Sequence, residues 1–147
     1  MGQLNLPSSS LIYLDTVAII YSIERFPGYA TLLDPMWQKL RSGEIAIVTS
    51  ELSLLETLVR PIRESNTDLI RRYETLLLSS EVSLTPITQS VLKDAATIRA
   101  HNNIKTPDSI HAATAMNSQC NFFITNDAGF RKISGLPTII LKDVLNA

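Results

Sequence analysis

Apolar positions along the chain follow two different periods. Five short runs carry β-branched and aromatic residues without a helical gap: Leu11 to Asp15, Ile45 to Thr49, Glu81 to Thr85, Asn121 to Thr125 and Thr138 to Leu141. Runs of this length and composition read as strands, and the most apolar of them as buried ones. Between them apolar residues recur at helical spacing. This predicts helices over Thr16–Glu24, Glu51–Arg60, Asp68–Ser79, Thr88–Asn102 and Thr106–Asn117, with a helical turn at Ala128–Lys132. Asp34-Pro35 reads as an N-cap with proline at the first helical position, opening a helix through Trp37 to Gly43. Pro61 predicts an end or kink in its helix.

Strands alternating with helices predict an α/β fold of three layers around a mainly parallel sheet. Residues 1–10 read as a flexible lead-in and residues 11–147 as a single domain. A chain of 147 residues is long enough for one buried core. With 45% hydrophobic and 18% charged residues the composition is that of a globular protein.

The net charge of −1 excludes a broad basic surface for nucleic acid. Any such contact must be local or bridged by cations. A lone cysteine, Cys120, cannot form an internal disulfide and suits a reducing compartment. With two histidines, His101 and His111, a structural zinc site is not expected. No signal peptide, myristoylation pattern or membrane-spanning run is visible, so a cytoplasmic protein without a membrane partner is expected.

Most acidic residues fall on polar faces or in turns, among them Asp34, Glu64, Asp68 and Asp143. Four stand apart. Asp15 and Asp127 end predicted strands, at the edge where parallel sheets place their sites. Asp108 lies in the first turn of its helix, followed by Ala112, Ala113 and Ala115, whose small side chains permit close packing on the sheet. Glu56 projects among Leu52, Leu55 and Val59, where a charge is costly unless compensated. Each has an ordinary explanation: a helix cap for Asp15, a dipole-favoured anion for Asp108, a buried ion pair for Glu56.

Taken together, converging carboxylates without thiolates suit a hard cation, Mg²⁺ or Mn²⁺. The chemistry that follows is phosphodiester hydrolysis with one ion or two. Glycine-rich dinucleotide, phosphate-loop and serine-elbow motifs are absent. His111, one turn after Asp108, reads as a packing or supporting residue. Tyr13, Trp37, Tyr73, Phe122 and Phe123 read as core. Arg60, Arg131 and Lys132 are candidate contacts for a substrate backbone.

Four segments carry a resemblance: Ile12-Tyr-Leu-Asp-Thr16, Thr49-Ser-Glu-Leu-Ser-Leu-Leu-Glu56, Thr106-Pro-Asp-Ser-Ile-His-Ala-Ala-Thr-Ala115 and Phe123-Ile-Thr-Asn-Asp127 with Phe130. In this order and spacing the sequence resembles PIN-domain ribonucleases, in particular VapC-type toxins of toxin–antitoxin pairs. The resemblance implies a three-layer α/β/α fold and divalent-metal-dependent cleavage of RNA. It places the catalytic and metal-binding acids on Asp15, Glu56, Asp108 and Asp127, and supporting hydroxyls on Thr16 and Thr125. It also implies a small antitoxin protein as partner and a homodimer. A non-toxin or inactive PIN-like binding module is an alternative. A haloacid-dehalogenase-like phosphatase is a lesser one, because that family's second aspartate falls here on Val17.

Overall fold

The computed structural model describes residues 2–147. Five parallel strands form one sheet in the order β3-β2-β1-β4-β5: β1 Leu11–Leu14, β2 Ala46–Ser50, β3 Ser83–Thr85, β4 Phe122–Thr125 and β5 Thr138–Ile140. The helices are α1 Thr16–Ile23, α2 Tyr29–Arg41, α3 Leu52–Arg63, α4 Thr67–Leu78, α5 Gln89–His101, α6 Thr106–Ser118 and α7 Leu141–Leu145, with a 3₁₀ turn at Ala128–Lys132. The mainly parallel sheet expected from the sequence is parallel at every pairing.

Alternation along β1 divides the layers. Ile12 and Leu14 face a large core built with α1, α2 and α4, through Ile19, Leu33, Trp37, Tyr73 and Leu77. Tyr13 points the other way, against Ala112 and Ala115 of α6 and against Phe123 and Phe130. The alanines of α6 are fully or almost fully buried, so that helix lies close on the sheet. Both neighbours of β1 are parallel to it: β2 in register Tyr13 with Val48, β4 in register Tyr13 with Phe123. The chain runs outward from β1 to β3 on one side, then returns to build β4 and β5 on the other. The seam between β1 and β4 is therefore the switch point of the sheet, where a crevice opens at the strands' carboxyl ends.

The structure departs from expectation in four places. Helix α2 begins at Tyr29, after Gly28 at φ +80°, and Pro35 lies inside it. An interior proline forfeits a backbone bond and costs about 3 kcal/mol. Burial of Ala30, Leu32 and Leu33 upstream offsets that cost. Asp34 consequently caps nothing, and instead takes a paired bond from Arg25 at 2.7 and 2.9 Å. Pro61 does not end α3, which continues to Arg63 with Pro61 buried.

Beside the expected flexible lead-in, residues 2–10 hold Leu6 in the core, with its carbonyl bonded by Lys39 Nζ at 2.8 Å. The last strand stops at Ile140, and an unforeseen helix, α7, follows.

Candidate active site

Asp15 stands immediately after β1 and Asp127 two residues after β4, so adjacent strands carry both to the crevice. Asp108 comes from the first turn of α6 and Glu56 from the second turn of α3. All four line one cleft of about 430 Å³ together with Thr16, Val17, Ile20, Tyr21 and Asn126. The structure thus brings together every acid singled out from the sequence.

Each acid is held differently. Asp15 caps α1 by accepting from the Thr16 backbone N–H at 2.9 Å, and its other oxygen accepts from Thr125 Oγ1 at 2.6 Å. The cap and the cleft roles coexist in one side chain. Asp127 accepts from the Gly129 N–H at 2.8 Å, while its own N–H donates to Thr125 Oγ1 at 3.1 Å. A Cβ at Gly129 would lie 3.0 Å from Asp127 Oδ1, so a side chain there would push on that carboxylate.

Glu56 accepts at Oε1 from Thr16 Oγ1 and from His111 Nε2, each at 2.7 Å. Thr16 in turn meets Ser53 Oγ at 2.8 Å, and Ser53 meets Thr49 Oγ1 at 2.9 Å. Asp108 makes no side-chain hydrogen bond among the described residues.

The electrostatics follow from this placement. Burial pushes the Asp15 carboxyl above its ordinary range, with the His111 ring and the Thr125 hydroxyl pulling the other way. Burial also raises Asp108, and the negative charges of Asp15 and Asp127 raise it further. Glu56 goes down: burial opposes its charge, but hydrogen bonds from His111 and Thr16 outweigh burial. No lysine or arginine pairs with Asp15, Glu56, Asp108 or Asp127 among the described residues.

A cleft of four carboxylates without a lysine or arginine partner fits a hard divalent cation. Among the described residues no three His, Cys, Asp or Glu side chains close into a ready-made ligand cage.

The expected stripe around Glu56 requires correction. Leu55 and Val59 are 61% and 44% exposed, and α3 buries Ser53, Thr57 and Pro61 instead. Glu56 borders a small polar seam, not an apolar one. Glu51 precedes the first turn of α3, and its carboxylate holds the Ile87 N–H at 3.1 Å. His111, read from sequence as packing or support, is 1% exposed and bonds an acid of the cleft. Its spacing of three residues from Asp108 was the available signal, since one helix face carries both.

Asn126 was not anticipated. It donates to the Tyr21 hydroxyl at 3.0 Å and accepts from the Lys142 N–H at 2.8 Å, pinning the loop after β4. Arg60 and Arg131 are committed to Glu24 and Asp143.

An all-parallel sheet with acids gathered over its central seam defines a class of carboxylate-site α/β proteins. Residues 12–136 match the PIN domain family model, and the chain belongs to that family. Among curated proteins none matches it in sequence.

Solved structures share the fold at low identity. VapBC2 of Rickettsia felis, bound to a DNA fragment from its promoter, is 16% identical with a TM-score of 0.67, covering 88% of this chain and 98% of the other. A toxin–antitoxin complex from Klebsiella pneumoniae is 18% identical with a TM-score of 0.65, over 88% and 97%. FitAcB of Neisseria gonorrhoeae is 20% identical with a TM-score of 0.65, over 89% and 98%. No helix among the described residues is long and apolar enough to cross a membrane.

Proposed function

We propose that the protein is a divalent-cation-dependent endoribonuclease and the toxin of a toxin–antitoxin pair, acting in the cytoplasm. The observation that carries this reading is the convergence of Asp15, Glu56, Asp108 and Asp127 on one cleft with no lysine or arginine paired to them among the described residues. Asp15, Glu56, Asp108 and Asp127 would hold Mg²⁺ or Mn²⁺. The bound cation would supply charge stabilisation at the scissile phosphate and help ionise the attacking water. Thr125 orients Asp15 and the Asp127 backbone, and Thr16 orients Glu56.

The path of the RNA has local support. Asp108 and Asp127 also line a second cleft of about 210 Å³ with Lys105, Lys132, Asn103 and Phe130. Lys132 is steadied by the Asn103 carbonyl at 2.9 Å, which leaves it further donors. Neither lysine pairs with a carboxylate among the described residues. Of the three bases expected to contact substrate, Lys132 is the one beside the acids, and Lys105 joins it.

The partner reading draws on the fold's likeness to chains in toxin–antitoxin complexes. An antitoxin arginine or lysine entering the acid cleft would replace the cation's charge. The homodimer reading draws on Leu55, Val59 and Ile62, which expose 61%, 44% and 59% of their surface along one face of α3. Spacings of four and three residues make that face continuous.

The test combines growth and cleavage. Induced expression should halt a bacterial culture, Asp15→Asn should release it, and purified protein should cut RNA with Mg²⁺ or Mn²⁺ but not in excess chelator. Full cleavage in chelator overturns the cation-dependent reading. Unimpaired growth on expression of soluble, cleavage-competent protein overturns the toxin reading.

A further inference from the structure

Glu56 is the one acid of the cleft whose side chain is held by other side chains alone. Asp15 and Asp127 each accept a backbone N–H beside a strand end. Glu56 sits on a helix, has a longer side chain, and accepts only from other side chains. A flexible carboxylate serves a site well only when something fixes its rotamer.

What fixes it reaches through the sheet layer. The Tyr13 hydroxyl lies 2.7 Å from His111 Nδ1, and His111 Nε2 lies 2.7 Å from Glu56 Oε1. The donor inventory gives the direction of this chain. A carboxylate only accepts, so Nε2 carries a hydrogen. The Tyr13 hydroxyl meets the ring at Nδ1, the nitrogen turned away from Glu56, with Thr49 and the Ser50 backbone also beside the phenol. Tyr13 is fully buried, so no solvent competes for its hydroxyl. The ring is thereby held at both nitrogens, by the phenol on one side and the carboxylate on the other. Oε1 of Glu56 is saturated by His111 and Thr16, while Oε2 makes no hydrogen bond among the described residues.

We infer that Tyr13 and His111 form a buried positioning strut that holds Glu56 by Oε1 and presents Oε2 alone to the cation. The inference rests on the cation-dependent reading above. Tyr13 and His111 touch neither substrate nor reacting atoms; they act through Glu56.

The test reads the strut with and without activity. Ring ¹⁵N shifts of His111 in the cation-free protein at neutral pH should report the Nε2–H tautomer, and Tyr13→Phe should erode it. Mn²⁺ affinity measured calorimetrically should fall about tenfold or more in His111→Leu, the range typical of lost support behind a metal ligand. His111→Gln, which places an amide donor near the Nε2 position, should recover most of the affinity. Folding is followed by circular dichroism, and if His111→Leu does not fold, Tyr13→Phe and the tautomer measurement carry the test.

An Nδ1–H or doubly protonated ring overturns the inference, as does wild-type Mn²⁺ affinity in folded His111→Leu. If Mn²⁺ binding depends on His111 but RNA is never cut, the nuclease reading fails and the strut stands. If RNA is cut and His111→Leu binds Mn²⁺ normally, the strut fails and the nuclease reading stands.

Discussion

Thr125 Oγ1 donates to Asp15 Oδ2 at 2.6 Å across the seam between β4 and β1. The same oxygen accepts from the Asp127 N–H at 3.1 Å, so one hydroxyl serves two acids. Thr125→Val keeps the shape and removes both bonds. Leaving a buried carboxylate oxygen without its donor should cost about 1–3 kcal/mol in urea unfolding. Cleavage should drop about tenfold or more, and Thr125→Ser should restore most of it. Equal losses in Val and Ser would assign Thr125 to packing alone.

Asp108 offers a pH test with a definite sign. Burial, then Asp15 and Asp127, raise its pKa. Native protein therefore binds more protons than the unfolded chain between the ordinary and the raised value, and stability falls as pH rises through that window. In cation-free protein Asp108→Asn should melt higher than the parent at pH 7. The two should converge below about pH 4, as Asp108 becomes protonated in the unfolded parent as well as the folded one. Cleavage should fall about 100-fold or more, because several kcal/mol of charge stabilisation are at stake. A lower melting temperature at pH 7 would contradict this account.

Two glutamates at either end of one short stretch should part company. Glu56→Gln keeps an acceptor for Thr16 and His111 but loses the charge, and Mn²⁺ affinity should weaken by about tenfold or more. Glu51→Ala removes the acceptor of the Ile87 N–H and should cost about 1 kcal/mol of stability with cleavage near normal. Reversed outcomes would place the wrong carboxylate in the cleft.

The lysine cleft predicts a substrate effect separable from chemistry. Combined Lys105→Ala and Lys132→Ala should raise KM for an RNA oligonucleotide about tenfold, with kcat little changed. The slope of log affinity against log salt should shrink by about 1.4, or about 0.7 for each lysine on a single strand. An unaltered KM and salt slope would remove the second cleft from the RNA path.

The strands and three of the acids were legible because local pattern reports them. A β-branched run ending in aspartate marks both a buried strand and the edge of a sheet, as at Leu14-Asp15 and Thr125 to Asp127. Glu56 was found for a reason the structure only half supports. The helical wheel grouped it with Leu55 and Val59, which face outward, since periodicity defines a stripe without saying what covers it. The start of α2 was misread because Asp-Pro is a local signal, and burial of Leu32 and Leu33 outweighed it. The bond between Tyr13 and His111 spans 98 positions and leaves no local trace. Tyr13 reads as core because it is core; only its hydroxyl does something else.

The switch-point seam has a consequence for how the protein is made. Asp15 and Thr125 are 110 positions apart, and their strands become neighbours only after β2 and β3 have been laid down on the other side. A nascent chain whose β4 has not yet left the ribosome carries Asp15 and Glu56 but lacks the strand tip that completes the cleft. Under the proposed function, translation itself acts as a delay: the messenger being read and the ribosome reading it are out of danger from this chain until β4 and Asp127 have emerged.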